Sequence, residues 1–191
     1  MSRPAVFLDR DGTLLEERGY LVRLEDLMMF PWTADAIRLL NRAGFVTVVV
    51  TNQAGVARGY FDEPFVHRVH GEIDRRLALG AARIDRYVYC PHLPDGRMTD
   101  YRQSCECRKP KPGMIERACR ELGLDAKRSF MVGDRWLDVE CGHGAGVRSI
   151  LVRTGQGAHE EATIVPPMQP DAILNNLMEA VGWILRSSSP S

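Results

Sequence analysis

Short apolar runs alternate with stretches of helical periodicity along most of the chain. The runs read as buried strands and lie at 5–8, 45–50, 84–89, 129–132, 149–152 and 171–174. Apolar residues recur at helical spacing over 34–43, 62–79, 114–122, 139–144 and 176–185. Because strands and helices that alternate in this way pack with helices on both faces of a sheet, the chain is predicted to be a doubly wound α/β protein with a mainly parallel sheet.

Three stretches lack this periodicity. Residues 14–29 are long for a strand-to-helix connection, and such loops often carry function. Residues 153–170 are polar and are predicted to be a loop. The serine-rich end, residues 187–191, is expected to be a disordered tail, which leaves a single domain over residues 1–186. Where helices begin, Thr33 and Asp62 are predicted N-caps.

Composition narrows the class of protein. The 25 basic and 25 acidic residues give a net charge of zero, which argues against a general binder of nucleic acid or membrane surfaces. No apolar run approaches the length of a membrane span, and the first strand follows residues 1–4 directly, which leaves no room for a signal peptide. We therefore expect a cytoplasmic protein that keeps its five cysteines reduced.

Two acids follow the first strand, in the segment Asp9-Arg10-Asp11-Gly12-Thr13. Residues i and i+2 of an extended chain point the same way, so the carboxylates of Asp9 and Asp11 are expected to face one pocket at the carboxyl end of the sheet. Neighbouring carboxylates repel unless a cation or a proton lies between them, and Mg2+ is the simplest such cation. An isolated pair of this kind more often caps a turn, but its place after the first strand favours a site.

Polar residues also follow two other strands. Thr51, after the second strand, is either a turn-forming hydroxyl or a phosphate anchor, and we favour the anchor. Asp134 and Asp138 follow the fourth strand, where acids often stabilise the N-terminus of a helix. With Asp9 expected at the same edge of the sheet, Asp134 is instead predicted to complete the Mg2+ site. Asp138 is predicted to orient the groups of that site without binding Mg2+ directly.

Four potential zinc ligands flank a loop and are Cys90, His92, Cys105 and Cys107. Two close pairs of ligands separated by a loop suit a tetrahedral zinc site. The alternative is a scatter of reduced thiols, but residues 93–104 offer few apolar side chains around which the loop could fold without a metal. Four protein ligands leave no open coordination position, so the predicted zinc is structural.

Two cations, Arg108 and Lys109, come directly after the last of these ligands. Phosphate is well bound by a point charge such as lysine and by a planar donor fork such as arginine. Lys109 is therefore predicted to neutralise phosphoryl oxygens, and Arg108 to contact a second anionic group or sugar hydroxyls. Lys111 is interpreted as an ordinary solvated cation.

Taken together, D-R-D-G-T, the strand-end threonine, lysine before proline and G-D-x-x-x-D resemble the motifs of the haloacid dehalogenase phosphohydrolase superfamily. The resemblance implies that Asp9 is a nucleophile and Asp11 a general acid/base. It implies that Thr51 and Lys109 stabilise the phosphoryl group, and that Mg2+ is held by Asp9, Asp134 and the backbone carbonyl of Asp11. The chain has no insertion large enough for a separate cap domain.

Within that superfamily, T-N-Q-x-G-x-x-R-G and C-P-H…C-x-C-R-K-P resemble the D-glycero-D-manno-heptose 1,7-bisphosphate 7-phosphatases. That family removes the 7-phosphate in making heptose precursors of lipopolysaccharide or surface glycans. The residues that the resemblance places in the substrate site are Glu17, Arg18, Gly19, Tyr20, Asn52, Gln53, Ala54, Arg108 and Arg135. The family commonly has lysine at the position of Arg135, so the contact made there is open.

Three alternatives stand beside this interpretation. Histidinol-phosphate phosphatases share the D-R-D-G-T segment and the zinc loop. A non-enzymatic zinc module would not require Asp9. A DNA 3′-phosphatase would require a row of basic residues to bind the DNA backbone, and no such row is visible in the sequence. We favour a monomeric enzyme acting on a small sugar bisphosphate, with no nucleic-acid or membrane partner.

Overall fold

The computed structural model of the protein describes residues 2–163 and 169–188. Its strands are β1 (Ala5–Leu8), β2 (Val46–Asn52), β3 (Arg86–Cys90), β4 (Phe130–Gly133), β5 (Arg148–Val152) and β6 (Ala172–Leu174). They form a six-stranded sheet in the order β3-β2-β1-β4-β5-β6. Every neighbouring pair in it is parallel. The predicted open α/β sheet is confirmed.

Helices connect the strands and cover both faces of the sheet. They are α1 (Thr33–Arg42), α2 (Gly55–Arg58), α3 (Glu63–Leu79), α4 (Gly113–Leu122), α5 (Trp136–Gly144), α6 (Gly157–Ala162) and α7 (Leu177–Ser188). Short 3-10 turns lie at Leu24–Asp26, Thr99–Tyr101 and Ala126–Arg128. In the described part of the chain, no helix has the length and apolar character needed to cross a membrane.

Strand β1 lies at the centre of the sheet and contributes to both halves of the core. Val6 and Leu8 pack on the face covered by α1, α3 and α7, whereas Ala5 and Phe7 pack on the face covered by α4 and α5. This alternation is what an extended strand buried on both sides requires. The chain therefore delivers Asp9 to the carboxyl edge of the sheet, between β2 and β4.

Some predicted element boundaries were wrong. Strand β2 continues to Asn52, so Thr51 lies inside the strand rather than after it, paired in register with β3. Helix α5 begins three residues earlier than predicted, at Trp136. Residues 153–170 are not simply a loop, because α6 lies within them; residues 164–168 are outside the described part.

Of the two predicted N-caps, one is confirmed and the other is wrong. Asp62 is the N-cap of α3 and accepts a hydrogen bond from the backbone N–H of Phe65. Thr33 is not a cap but the first residue of α1, and its hydroxyl donates to the carbonyl of Leu14 at 2.9 Å. Helix α7 extends two residues into the predicted tail, as far as Ser188, and residues 189–191 lie outside the described part.

Candidate active site

Three buried acids meet at the carboxyl edge of the sheet. Asp9 follows β1, Asp134 follows β4, and Asp138 lies in the first turn of α5. One carboxylate oxygen of each lies within 4.8 Å of the others. The backbone N–H of Asp9 donates to the carbonyl of Val132 at 2.9 Å, which continues the β1–β4 pairing up to the site. The sequence predicted that Asp9 and Asp134 would meet, and they do.

Lys109 reaches into this cluster from just beyond residues 90–107, the loop that carries the four predicted zinc ligands. Its Nζ lies 2.7 Å from Asp9 Oδ1 and 2.6 Å from Asp138 Oδ1, and it donates to the carbonyl of Val50 at 2.9 Å. The side chain is 1% exposed. Asp138 thus supports the cluster through Lys109, and its Oδ2 also accepts a hydrogen bond from the backbone N–H of Arg135 at 3.1 Å.

The cluster carries more negative than positive charge. Burial, together with the nearby Asp9 and Asp138, raises the pKa of Asp134 to about 8. Burial likewise raises the pKa of Asp138 to about 7, although Lys109 opposes the rise. For Lys109, burial alone would lower the pKa, but the carboxylates of Asp138 and Asp9 outweigh it and raise the pKa above its usual range. One lysine among three carboxylates leaves room for a further cation.

The surroundings of Asp134 fit a hard divalent cation. Its Oδ2 accepts a hydrogen bond from the backbone N–H of Gln156 at 2.8 Å, while Oδ1 is buried without a hydrogen-bond partner among the described residues. A Cβ atom at Gly12 or Gly155 would lie 2.2 or 2.1 Å from Oδ2, so both positions need glycine. An unpartnered carboxylate oxygen beside two other acids is a suitable donor set for Mg2+.

Asp11 lies outside the three-acid cluster and belongs to a hydrogen-bond network of its own. The buried guanidinium of Arg10 contacts its carboxylate, at 2.9 Å between Nη2 and Oδ2, and also donates to Gln53 Oε1 at 3.0 Å. Gln53 Nε2 in turn donates to Asp11 Oδ2 at 3.1 Å and to the hydroxyl of Thr51 at 2.9 Å. The network joins the two strand ends that were predicted to act on phosphate.

A cleft of about 340 Å³ opens above these groups. The predicted site residues that line it are Asp9, Asp11, Glu17, Gly19, Tyr20, Thr51, Asn52, Gln53, Ala54, Arg108, Lys109 and Arg135. Arg18 is an exception: it does not line the cleft, and its guanidinium pairs with Glu16 at 2.6 Å. The cleft also contains residues that the sequence analysis missed, namely Arg10, Leu21, Gly55, Phe61, Leu137 and Gln156.

Two of the lining side chains are already engaged within the protein. The amide of Asn52 donates to the carbonyl of Lys109 and accepts from its backbone N–H, both at 3.0 Å. The amide of Gln53 is shared among Arg10, Asp11 and Thr51. Asn52 therefore fixes the backbone of Lys109, and Gln53 links Asp11 to Thr51.

The wall of the cleft contains both signs of charge. Arg108 and Arg135 line it, and Glu17 accepts a hydrogen bond from the backbone N–H of Gly19 at 2.7 Å. Burial raises the pKa of Glu17, with smaller contributions from Asp11 and Asp9. Two guanidinium groups suit an anionic ligand that is larger than a single phosphate.

The four predicted zinc ligands also come together. These are Cys90, His92, Cys105 and Cys107, and five of the six separations between their sulfur and Nδ1 atoms are 3.2–3.7 Å. Tetrahedral zinc with sulfur ligands at about 2.3 Å requires edges of about 3.8 Å, which is close to these separations. Three thiols and one imidazole at this spacing fit structural zinc.

Comparison with known proteins extends these observations to the whole chain. Residues 106–180 match a family model described as HAD-hydrolase-like. The chain is 43% identical over 195 residues to D-glycero-D-manno-heptose-1,7-bisphosphate 7-phosphatase of Thermosynechococcus vestitus, with 100% of each chain covered. It is 39% identical over 191 residues to D-glycero-beta-D-manno-heptose-1,7-bisphosphate 7-phosphatase of Escherichia coli strain K12, with 100% of this chain and 98% of the relative covered.

A solved structure agrees with these relatives. The crystal structure of D,D-heptose 1,7-bisphosphate phosphatase from B. bronchiseptica, complexed with magnesium and phosphate, is similar with a TM-score of 0.87 and 30% identity. The similarity covers 96% of this chain and 99% of that chain. It therefore extends well beyond residues 106–180, the part of the chain that the family model matches.

Proposed function

Because the chain belongs to the D-glycero-D-manno-heptose-1,7-bisphosphate 7-phosphatase family, we propose that it is a Mg2+-dependent phosphatase that removes the 7-phosphate of this bisphosphate. The observation that carries the proposal is the buried contact of Lys109 with Asp9, below a cleft lined by Arg108 and Arg135. The two arginines supply positive charge for the phosphate that is retained. The product would feed the synthesis of ADP-heptose or GDP-heptose for lipopolysaccharide or surface glycans.

Asp9 is the proposed nucleophile. One of its carboxylate oxygens attacks phosphorus in line with the sugar oxygen, and an aspartyl-phosphate forms as the phosphorus–oxygen bond to the sugar breaks. The leaving sugar oxygen takes a proton from the carboxyl group of Asp11. Asp11 then takes a proton from a water molecule whose oxygen attacks phosphorus and releases Asp9. Lys109 and Thr51 stabilise the charge on the transferring group.

Two metals fit the remaining groups. Mg2+ at the acid cluster would offset negative charge on the phosphoryl group. We propose Asp9, Asp134 and the backbone carbonyl of Asp11 as its ligands, since both carboxylate oxygens of Asp138 are already engaged, Oδ1 by Lys109 and Oδ2 by the backbone N–H of Arg135. The three cysteines and one histidine are proposed to hold structural Zn2+, which would order the loop that leads into the two cations.

We also propose a cytoplasmic location and a monomeric state. The location is consistent with a small sugar bisphosphate as the substrate. A monomer would suffice for the proposed reaction, because Asp9, Asp11, Thr51 and Lys109 all line one cleft of the same chain.

The test is phosphate release from the purified protein with the heptose bisphosphate, with and without Mg2+. Asp9→Asn is expected to lower turnover by about a thousandfold or more, as loss of a nucleophile does, while the circular dichroism spectrum stays unchanged. Asp35→Asn is the control, because Asp35 is a half-exposed acid of α1 that pairs with Arg38.

Three outcomes would contradict the proposal. Full activity in Asp9→Asn would exclude Asp9 as the nucleophile. Absence of Mg2+-dependent phosphate release by the wild type would leave the non-enzymatic zinc module as the better interpretation. Faster turnover of histidinol phosphate than of the heptose bisphosphate would assign the chain a different substrate.

A further inference from the structure

The segment that follows β5, residues 153–162, contacts the site in two places. At its start, the backbone N–H of Gln156 donates to Asp134, and the hydroxyl of Thr154 donates to the carbonyl of Gly12 at 2.6 Å. Further along, in α6, the carboxylate of Glu160 reaches the beginning of α5. The segment thus links the buried acids to the more exposed wall of the cleft.

Glu160 makes two contacts at the beginning of α5, and its side chain is 16% exposed. Oε2 accepts a hydrogen bond from the backbone N–H of Trp136 at 2.8 Å, which is one of the unpaired donors at a helix N-terminus. Oε1 lies 3.5 Å from Nε of Arg135. Among the residues that the structure describes, this is the one ion pair that Arg135 forms.

Arg135 needs such a partner if it is to bind an anion well. Its backbone is fixed by the hydrogen bond to Asp138, but its side chain is long and 48% exposed. A free arginine side chain loses rotamer entropy when it binds a ligand, and a neighbour that already restricts it reduces that loss. Because Glu160 faces the Nε side, the Nη groups remain available to an anion in the cleft.

We propose that Glu160 is a positioning residue, which holds Arg135 toward the phosphate that the substrate retains. This inference rests on the proposed function, in which Arg135 contacts the second phosphate of a bisphosphate. Glu160 does not line the cleft, so it acts through Arg135. It should therefore govern the preference for a bisphosphate over a monophosphate and leave the chemistry at the 7-phosphate unchanged.

The experiment compares heptose 1,7-bisphosphate with heptose 7-phosphate as substrates of wild type and Glu160→Gln. Glutamine keeps an acceptor oxygen for Trp136, so the variant removes the charge alone. The Arg135 side of this ion pair is exposed, which keeps its contribution small. The KM for the bisphosphate is therefore expected to rise about three- to fivefold, with kcat unchanged. Both constants for the 7-phosphate should change by less than about 1.5-fold, because that substrate lacks the group that Arg135 contacts.

The chain supplies a matched control one residue away. Glu161 lies in the same helix and pairs with Arg153 at 2.6 Å. Neither of these residues lines the cleft. Glu161→Gln removes the same charge from the same helix, so it should leave the KM of both substrates unchanged. A second test is Arg135→Ala, which is expected to reduce the preference for the bisphosphate about tenfold, with no further loss on adding Glu160→Gln.

The outcomes separate the two proposals. Absence of phosphate release by the wild type would overturn the proposed function and this inference with it. A wild type that prefers the bisphosphate, with Glu160→Gln affecting both substrates equally or neither, would overturn the role of Glu160 alone. If Glu160→Gln does not fold, Glu160→Asp takes its place; it keeps the charge but withdraws it by one methylene, and an unchanged preference in that variant would also overturn the inference.

Discussion

Replacing Lys109 with methionine removes the cation buried between Asp9 and Asp138 and keeps a side chain of similar length. At an effective dielectric constant of about 20, a pair of unit charges separated by 2.7 Å attracts by about 6 kcal/mol. Desolvation of the lysine offsets part of this attraction, and removing one partner of a buried ion pair lowers stability by about 3–5 kcal/mol. We expect Lys109→Met to lower the free energy of unfolding by about that amount near pH 8.

The loss should depend on pH in a defined direction. The pKa values of Asp134, about 8, and Asp138, about 7, lie above the unfolded value near 4. Such carboxyls stabilise the folded state fully below pH about 4, and their contribution is lost as the pH rises through about 7–8. Without Lys109 the carboxylates repel more strongly at high pH. The difference between variant and wild type should therefore be smaller near pH 5 than near pH 8.

The assay is urea unfolding without added Mg2+, at both pH values, followed by circular dichroism. Lys111→Met is the control, because Lys111 is half-exposed and pairs with an 83% exposed Glu106, so its loss should leave the free energy of unfolding close to that of the wild type. Excess Mg2+ should restore part of the stability of Lys109→Met but not its turnover. Equal effects of the two substitutions, or a loss that does not vary with pH, would refute the reasoning.

Two further predictions concern the metals. Cys107→Ser should lose the proposed zinc and lower the free energy of unfolding by about 3 kcal/mol or more. The control is Cys119→Ser, which lies outside the ligand cluster and should keep one zinc per chain. Elemental analysis measures the zinc content, and thermal unfolding measures the stability. Gly155→Ala places a Cβ atom 2.1 Å from Asp134 Oδ2, so turnover should fall at least about tenfold and need more Mg2+. The control is Gly146→Ala, because Gly146 has a similar positive φ but a Cβ atom there would have nothing within 4 Å. This variant should lose only about 1–2 kcal/mol of stability and keep its turnover. Equal turnover in Gly155→Ala and Gly146→Ala would contradict the role of the close contact.

The meeting of the main site residues could be predicted because topology enforces it. Asp9 and Asp134 follow two strands of one parallel sheet, and the carboxyl ends of such strands share an edge. The clustering of the three cysteines and one histidine could be predicted because thiols and imidazole in two close pairs are typical of a metal site. In each case the residue type and its place along the chain were enough.

The parts that were missed depend on contacts that no local pattern records. Helix α6 has Gly157 as its single buried residue, so it shows no apolar stripe, and its position depends on the hydrogen bond from Gln156 to Asp134. Arg10 lies between two acids in sequence, and nothing there reveals that its guanidinium is buried against Gln53. The polar residues at the end of β2 ended its apolar pattern before the strand itself ended.

The central position of β1 has a consequence for how activity is acquired during synthesis. The strand that carries Asp9, the proposed nucleophile, is made first, yet its two neighbours in the sheet are β2 and β4, and β4 begins only at Phe130. A nascent chain carries Asp9 through more than half of its translation without Asp134 to complete the cluster. If Asp9 and Asp134 act together as proposed, partly made or prematurely ended chains would be inert toward phosphate esters, and activity would require that β4 has joined the sheet.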